Sequence, residues 1–198
     1  ATTVASTALI AHCAGIRVFA TGGIGGVHRG DRTDISADLP ELARTPVIVV
    51  CSGAKIVLDL PATREWLETF GVTVLGWQCD EFPAFYSRSS GLKVDRRVEN
   101  GRQVAKIADA RLELGFTNSL LVTVPVPEKA EMRQEELEPL LLDALREAKD
   151  RQIKGKEITP FLLSRMSEKS NKRTLSANVA LLENNAKVAA EIALSLNY

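Results

Sequence analysis

The chain has 198 residues, 45% of them apolar and 25% charged, with 25 Lys and Arg balanced by 25 Asp and Glu. That length buries a core without disulfide or metal staples, and the composition excludes a disordered chain. Zero formal net charge excludes the uniform attraction of a basic protein for phosphate backbones or anionic lipid. Neither nucleic acid nor membrane is therefore expected as a partner, and any anion must be held by a local site.

Residues 3–14 place Val4, Ala5, Ala8, Leu9, Ala11 and Cys13 at helical spacing before Gly15, which predicts a buried helix with His12 packed within it. Residues 17–20 predict a short strand. Residues 21–30, T-G-G-I-G-G-V-H-R-G, hold five glycines in ten positions, which predicts a loop throughout. Residues 36–43 predict a short helix capped by Ser36. The unalternating Val47-Ile48-Val49-Val50-Cys51 predicts a strand buried on both faces, as in a parallel sheet. Helical spacing over residues 61–70 and an apolar run over 72–77 continue a strand, helix, strand rhythm. Residues 80–91 read as a strand edge and loop whose aromatics pack inward. Further predicted elements are a helix over 103–114, a strand over 119–124, and helices over 135–151, 159–170 and 175–196. The fold expected over residues 1–198 is one α/β domain, layered α/β/α, with a mainly parallel or mixed sheet flanked by helices.

Cys13, Cys51 and Cys79 form no C-x-x-C pair, which points to free thiols in a reducing cytoplasm. No apolar run reaches the roughly 18 residues that span a bilayer. The opening Ala1-Thr2-Thr3-Val4 has neither an initiator Met nor signal-peptide features, and reads as internal to something longer.

Several residues could carry chemistry. A glycine loop after a strand lets backbone N–H groups approach an anion. This one is neither G-x-G-x-x-G, since His28 stands where the last glycine belongs, nor a P-loop. Anion binding and a merely tight turn both stay open. Asp34 and Asp38, four apart around Ser36, would share a face of a helix and could hold a divalent cation or substrate hydroxyls. They could equally complement a helix dipole. Lys55 follows the buried strand by way of small residues, at the carboxyl edge of a sheet where open α/β folds bind ligands. As an amine nucleophile it would need its pKa brought from about 10.4 to near 7, a change of about 4 kcal/mol; as a cation it would hold an anion. Ser52 lies outside a G-x-S-x-G elbow, and no histidine or cysteine spacing suits zinc. Any metal should be oxygen-ligated Mg²⁺ or Mn²⁺.

A set of segments, F-A-T-G-G-I-G-G-V-H-R-G, D-I-S-A-D-L-P-E-L, V-V-C-S-G-A-K, D-E-F-P-A-F-Y-S-R-S-S-G, I-T-P-F-L-L and S-A-N-V-A-L-L-E-N-N-A, resembles the pseudouridine-5′-phosphate glycosidase family, also called the indigoidine synthase A family. The resemblance covers essentially every residue. It implies a C-glycosidase that cleaves pseudouridine 5′-phosphate to uracil and ribose 5-phosphate, reversibly, through a Schiff base on Lys55. It implies Asp34 as a Mn²⁺ ligand acting largely through water, and Val4, Ser36, Ala37 and Asp38 as substrate-lining residues. Thr21, His28 and Asn178 match further pocket positions contacting phosphate, sugar or base, and assembly as a homotrimer is implied. The chain corresponds to the C-terminal two-thirds of such a protein. The family's proton-donor glutamate and a phosphate-binding lysine belong to an N-terminal portion that this sequence does not contain. The loop between His28 and Asp34 is also shorter than the family pattern. The alternative reading is a non-catalytic sugar-phosphate-binding or assembly subunit of the same fold.

Overall fold

The computed structural model describes residues 2–153 and 155–196. Its strands are β1 (Val18–Ala20), β2 (Val27–His28), β3 (Asp31–Ile35), β4 (Ile48–Cys51), β5 (Leu58–Asp59), β6 (Thr73–Trp77), β7 (Arg96–Val98) and β8 (Leu120–Thr123). The helices are α1 (Val4–Cys13), α2 (Asp38–Leu42), α3 (Leu60–Thr69), α4 (Gly101–Glu113), α5 (Gln134–Asp150), α6 (Ile158–Lys169) and α7 (Arg173–Ser195). Five strands form one sheet in the order β1-β4-β8-β6-β7, and every pairing in it is parallel.

The four residues of β4 and the four of β8 are all buried, as their unalternating apolar sequence requires of strands covered on both faces. Alternate residues serve the two faces. Ile48, Val50, Leu120 and Val122 join Val104 of α4 and Val188 and Ile192 of α7 in one cluster. Val49, Cys51, Val74 and Leu121 join Leu39 and Leu42 of α2, Leu67 of α3, Leu141 of α5 and Met166 of α6 in the other. The layered α/β/α arrangement follows from these two seams.

The helix ends show why the chain breaks where it does. Thr3 caps α1 by accepting from Ser6 N, Asp59 caps α3 by accepting from Ala62 N, and Asn100 caps α4 by accepting from Gln103 N. Gly71 and Gly115 follow α3 and α4 with positive φ.

Four expectations need correction. Residues 21–30 are not all loop: Val27 and His28 pair antiparallel with both β3 and β5, forming a second, three-stranded sheet. Val27 N donates to Thr63 Oγ1 of α3, which is what anchors that hairpin to the body. Asp34 therefore lies on β3 and Asp38 in α2, so the two acids share no helix face. Ser36 does not cap a helix starting at its own position: α2 begins at Asp38 after Ala37, with Ser36 Oγ accepting from Asp38 N at 3.3 Å. Finally, α1 is buried along one side only, through Val4, Ala8 and Ala11, whereas Leu9, Ile10 and His12 are exposed. Its two apolar sides hid that difference from a count of apolar residues. The short strands β5 and β7 were also unread, because neither carries a period.

Leu121, fully buried on the central strand, should be a strong anchor. Leu121→Ala is expected to lower the unfolding free energy by about 2–5 kcal/mol in a denaturant titration. Leu194→Ala, at a side chain 90% exposed, is expected to change it by less than about 0.5 kcal/mol.

Candidate active site at the carboxyl ends of β1 and β4

Beyond the last residues of β1 and β4 the two chains continue side by side. Thr21 N donates to Val50 O (2.9 Å), Ser52 N to Gly22 O (2.8 Å), Ile24 N to Gly53 O (3.0 Å) and Lys55 N to Ile24 O (3.1 Å). The parallel pairing of the sheet thus extends into the glycine loop and the segment leading to Lys55, and Ile24 bridges Ala54 in the same sense. Gly53 makes this path possible: its φ is +79°, and a Cβ there would stand 2.1 Å from Pro83 O.

Asp38 locks the other side of the glycine loop. Its side chain is buried; Oδ1 accepts from Ala5 N at 2.8 Å and Oδ2 from Gly25 N at 2.7 Å. Gly25 must lack a side chain, since a Cβ would lie 2.1 Å from Ser36 Oγ and 2.8 Å from Asp38 Oδ2. One carboxylate therefore ties the first turn of α1, the glycine loop and α2 together, and charge-assisted hydrogen bonds of this kind are the stronger ones. Val4, at the start of α1, is buried next to this junction.

Within the glycine loop, Thr21, Ile24, Gly25 and Val27 donate their N–H groups to Val50 O, Gly53 O, Asp38 Oδ2 and Thr63 Oγ1. Among the described residues the adjacent N–H groups of Gly22 and Gly23 have no protein acceptor. Neighbouring free amides at the carboxyl ends of parallel strands suit an anion. A Cβ on Gly22 would come within 3.5 Å of Asn178 Oδ1, which places Asn178 of α7 directly beside this pair. Asn178 also borders a cavity of about 330 Å³ shared with Tyr86, Ser164, Ser167 and Thr174.

His28 and Asp34 face each other across the β2–β3 hairpin, Nδ1 to Oδ2 at 3.9 Å, with the Asp34 side chain about half exposed. Both oxygens of Asp38 are committed to backbone, so Asp34 is the carboxylate of this pair left for a cation. Among the described residues no three His, Cys, Asp or Glu side chains converge. One exposed carboxylate does not make a protein cage, but it fits a hard divalent ion that retains most of its water. Ala37 is exposed between Ser36 and Asp38.

The structure thus brings Val4, Thr21, Ser36, Asp38, Lys55 and Asn178 around the glycine loop and sets His28 and Asp34 on the adjoining hairpin. Three contributors were not singled out from the sequence. Arg29 clasps the segment after Lys55, donating from Nε to Leu58 O at 3.1 Å, with Nη1 3.5 Å from Glu138 Oε1. Phe85, at φ +64°, donates its N–H to Ser52 O and packs its ring on Gly23. Asn185 of α7 is fully buried and bonded to both loops. The sequence held a signal for it: Asn185 falls in the stripe of Leu181, Val188 and Ile192, where a polar residue needs a partner.

Of the thiols, Cys51 is fully buried and desolvation pushes it up to about 12, which keeps it protonated and unreactive beside the site. The groove lined by Arg17, Pro46, Ile48, Phe116 and Asn118 lies at the opposite, amino-terminal ends of the strands and shares none of these residues.

Comparison with known proteins gives the family. The family model described as Indigoidine synthase A like protein matches residues 1–195. The chain belongs to the indigoidine synthase A-like family. Among its relatives, pseudouridine-5′-phosphate glycosidases of Caldanaerobacter subterraneus subsp. tengcongensis and Petrotoga mobilis are 51% and 50% identical over the whole of this chain. The chain spans 65% of the length of each. An indigoidine synthase A-like protein from Thermotoga maritima superposes with a TM-score of 0.91 at 45% identity, covering 97% of this chain and 63% of that one. The prealnumycin C-glycosynthase AlnA, solved in complex with ribulose 5-phosphate, gives 0.91 at 37% identity, covering 99% and 65%.

Removing the Asp38 carboxylate should loosen the loop. Asp38→Ala leaves two N–H groups without their acceptor and is expected to cost about 3 kcal/mol, read as a lower midpoint in thermal or denaturant unfolding. A loss below about 0.5 kcal/mol would show that the junction holds without it.

Proposed function

We propose that this chain carries the lysine chemistry of a pseudouridine-5′-phosphate glycosidase, with Lys55 as the nucleophile. The carrying observation is the continuous pairing that holds the segment of Lys55 against a glycine loop, two of whose amides have no acceptor among the described residues, at the carboxyl ends of β1 and β4. The names of relatives about half identical to this chain, and a sugar-phosphate complex in a solved neighbour, support the same reading.

The chemistry explains why an amine is needed. Ordinary glycosidases protonate a leaving oxygen between two carboxylates, and a carbon–carbon glycoside has no such atom. In the proposed reaction the Lys55 amine bonds to C1′ as the C1′–O4′ bond opens, and the proton lost by the nitrogen goes to O4′. The electron pair of the C1′–C5 bond then passes to the uracil, which takes a proton at C5, and the nitrogen lone pair forms the iminium with C1′. Water hydrolyses the iminium, releasing ribose 5-phosphate and regenerating the amine. The sum is addition of one water, and the sequence runs in reverse from uracil and ribose 5-phosphate.

In this reading the Gly22 and Gly23 amides, Thr21 and His28 receive the phosphate, and Asn178 and Ser36 contact sugar or base, with Val4, Ala37 and Asp38 forming the wall. Asp34 would hold a Mn²⁺ ion, which would supply positive charge and polarise groups bound to it. A homotrimer belongs to the same proposal, and exposed Leu175, Val179 and Leu182, at helical spacing on α7, support a partner surface there. A cytoplasmic setting fits the three free cysteines.

Borohydride reduction in the presence of ribose 5-phosphate is expected to fix a pentose phosphate adduct on Lys55, located by peptide mass spectrometry, and Lys55→Ala is expected to abolish it. Binding of ribose 5-phosphate with no adduct would instead favour a sugar-phosphate-binding subunit. EDTA should suppress turnover and Mn²⁺ restore it, with Asp34→Asn raising the Mn²⁺ required at least about tenfold. A full rate in chelator would remove the Asp34 assignment.

A further inference from the structure

We propose that Asn185 is a positioning residue that fixes the spacing between the glycine loop and the Lys55 segment without touching substrate. The inference rests on the reading of Lys55 as an imine-forming amine, and it adds to that reading a buried residue of α7. Asn185 is fully buried in the middle of α7, and its side-chain amide joins the two loops. Nδ2 donates to Thr21 O at 2.8 Å and, at longer range, to Gly22 O at 3.4 Å. Oδ1 accepts from Ser52 Oγ at 3.2 Å, and Ser52 is itself fully buried.

A planar amide of fixed size thus has its donor end on the glycine loop and its acceptor end on the lysine segment. Ser52 precedes Lys55 by two small residues, one of which, Gly53, has its path fixed by the contact with Pro83. Movement at Ser52 is therefore transmitted along the chain to Lys55. Thr21 precedes the two free amides, so movement there shifts the anion subsite. The neighbours of Asn185 along the stripe are Leu181 and Val188, so an apolar residue would suit the helix face at least as well. A buried amide is retained where its hydrogen bonds define a geometry, and reacting groups lose rate steeply with displacements of about 1 Å.

The test compares the full chain with Asn185→Leu, Asn185→Asp and Ser52→Ala by amide hydrogen exchange and by borohydride trapping with ribose 5-phosphate. Asn185→Leu is expected to lower protection of the Ile24, Ser52 and Lys55 amides at least about tenfold while β6 and β8 keep theirs, and to slow trapping about 10- to 100-fold. Ser52→Ala cuts only the lysine-side link and is expected to slow trapping while half-saturation by ribose 5-phosphate stays within about twofold. Asn185→Asp keeps an acceptor for Ser52 but sets a carboxylate against Thr21 O, and is expected to raise half-saturation with a smaller change in rate. Unchanged protection and trapping in Asn185→Leu would overturn the proposal, as would protection lost evenly across the sheet. If Asn185→Leu does not fold, an unchanged trapping rate in Ser52→Ala overturns it. An unmodified Lys55 in the parent chain would instead refute the imine reading, and the exchange data would still judge the spacing role.

Discussion

The site depends on a parallel ladder that does not end with its strands. In most parallel sheets the chains diverge at their carboxyl ends, and the crevice between them admits a ligand. Here β1 and β4 stay paired through Gly22, Ile24, Gly53 and Lys55, so the loop that offers free amides and the segment that offers an amine move as one body. The pairing needs glycine at two points for different reasons. Gly53 supplies a left-handed backbone that a side chain would obstruct at Pro83, and Gly25 permits the close approach of Ser36 and Asp38. A phosphate sugar reaching this edge would meet a surface already ordered, and the entropy of arranging it would have been lost on folding rather than on binding.

Asp38 shows how the charge distribution divides between structure and chemistry. A buried carboxylate costs several kcal/mol to desolvate unless hydrogen bonds replace the water it loses. Its two oxygens take the N–H groups of Ala5 and Gly25, one of them an otherwise orphaned donor in the first turn of α1. That commitment removes Asp38 from metal binding and leaves Asp34, exposed on a hairpin strand, as the acid able to exchange water for a cation. In the proposed site, two carboxylates four residues apart would thus have opposite duties, decided by burial.

The layered fold was legible in the sequence because its strands are apolar without alternation and its helices keep a 3.6-residue period, as Ile48–Cys51 and Gly101–Glu113 do. The hairpin was not. Val27–His28 is two residues long, its pairing depends on Thr63 and Asp59 far along the chain, and glycine density pointed to a loop. The helix reading of Asp34 and Asp38 failed for the same cause, since a five-residue strand rich in Asp, Arg and Thr has no local signature. At the site, Lys55 and the glycine loop were visible as oddities of composition. Arg29 and Phe85 were not, because their importance comes from backbone atoms they reach, and those atoms carry no letter in a sequence; Asn185 showed only as a polar residue in an apolar stripe.

The same accounting of committed atoms bears on the proton that the uracil carbon requires. Among the described acids, Asp38 is bound to backbone, Asp59 caps α3, and Glu41, one turn further along α2, is buried against Thr45 and Arg44. For Glu41, desolvation raises the pKa, but the hydrogen bonds from Thr45 and Arg44 and the guanidinium charge prevail and hold it below the usual carboxylate value. It stays ionised at neutral pH and is a poor proton donor. Asp34 faces His28 across the hairpin and, in the proposed site, would hold a cation. Asp38 and Asp59, beside the glycine loop and the segment after Lys55, are thus occupied in holding structure. A general acid for carbon needs the reverse environment, apolar and short of donors. In the proposed reaction Lys55 would supply the electron-accepting amine, and Asp38, Asp59 and Glu41, each engaged by hydrogen bonds, would not serve as its proton donor.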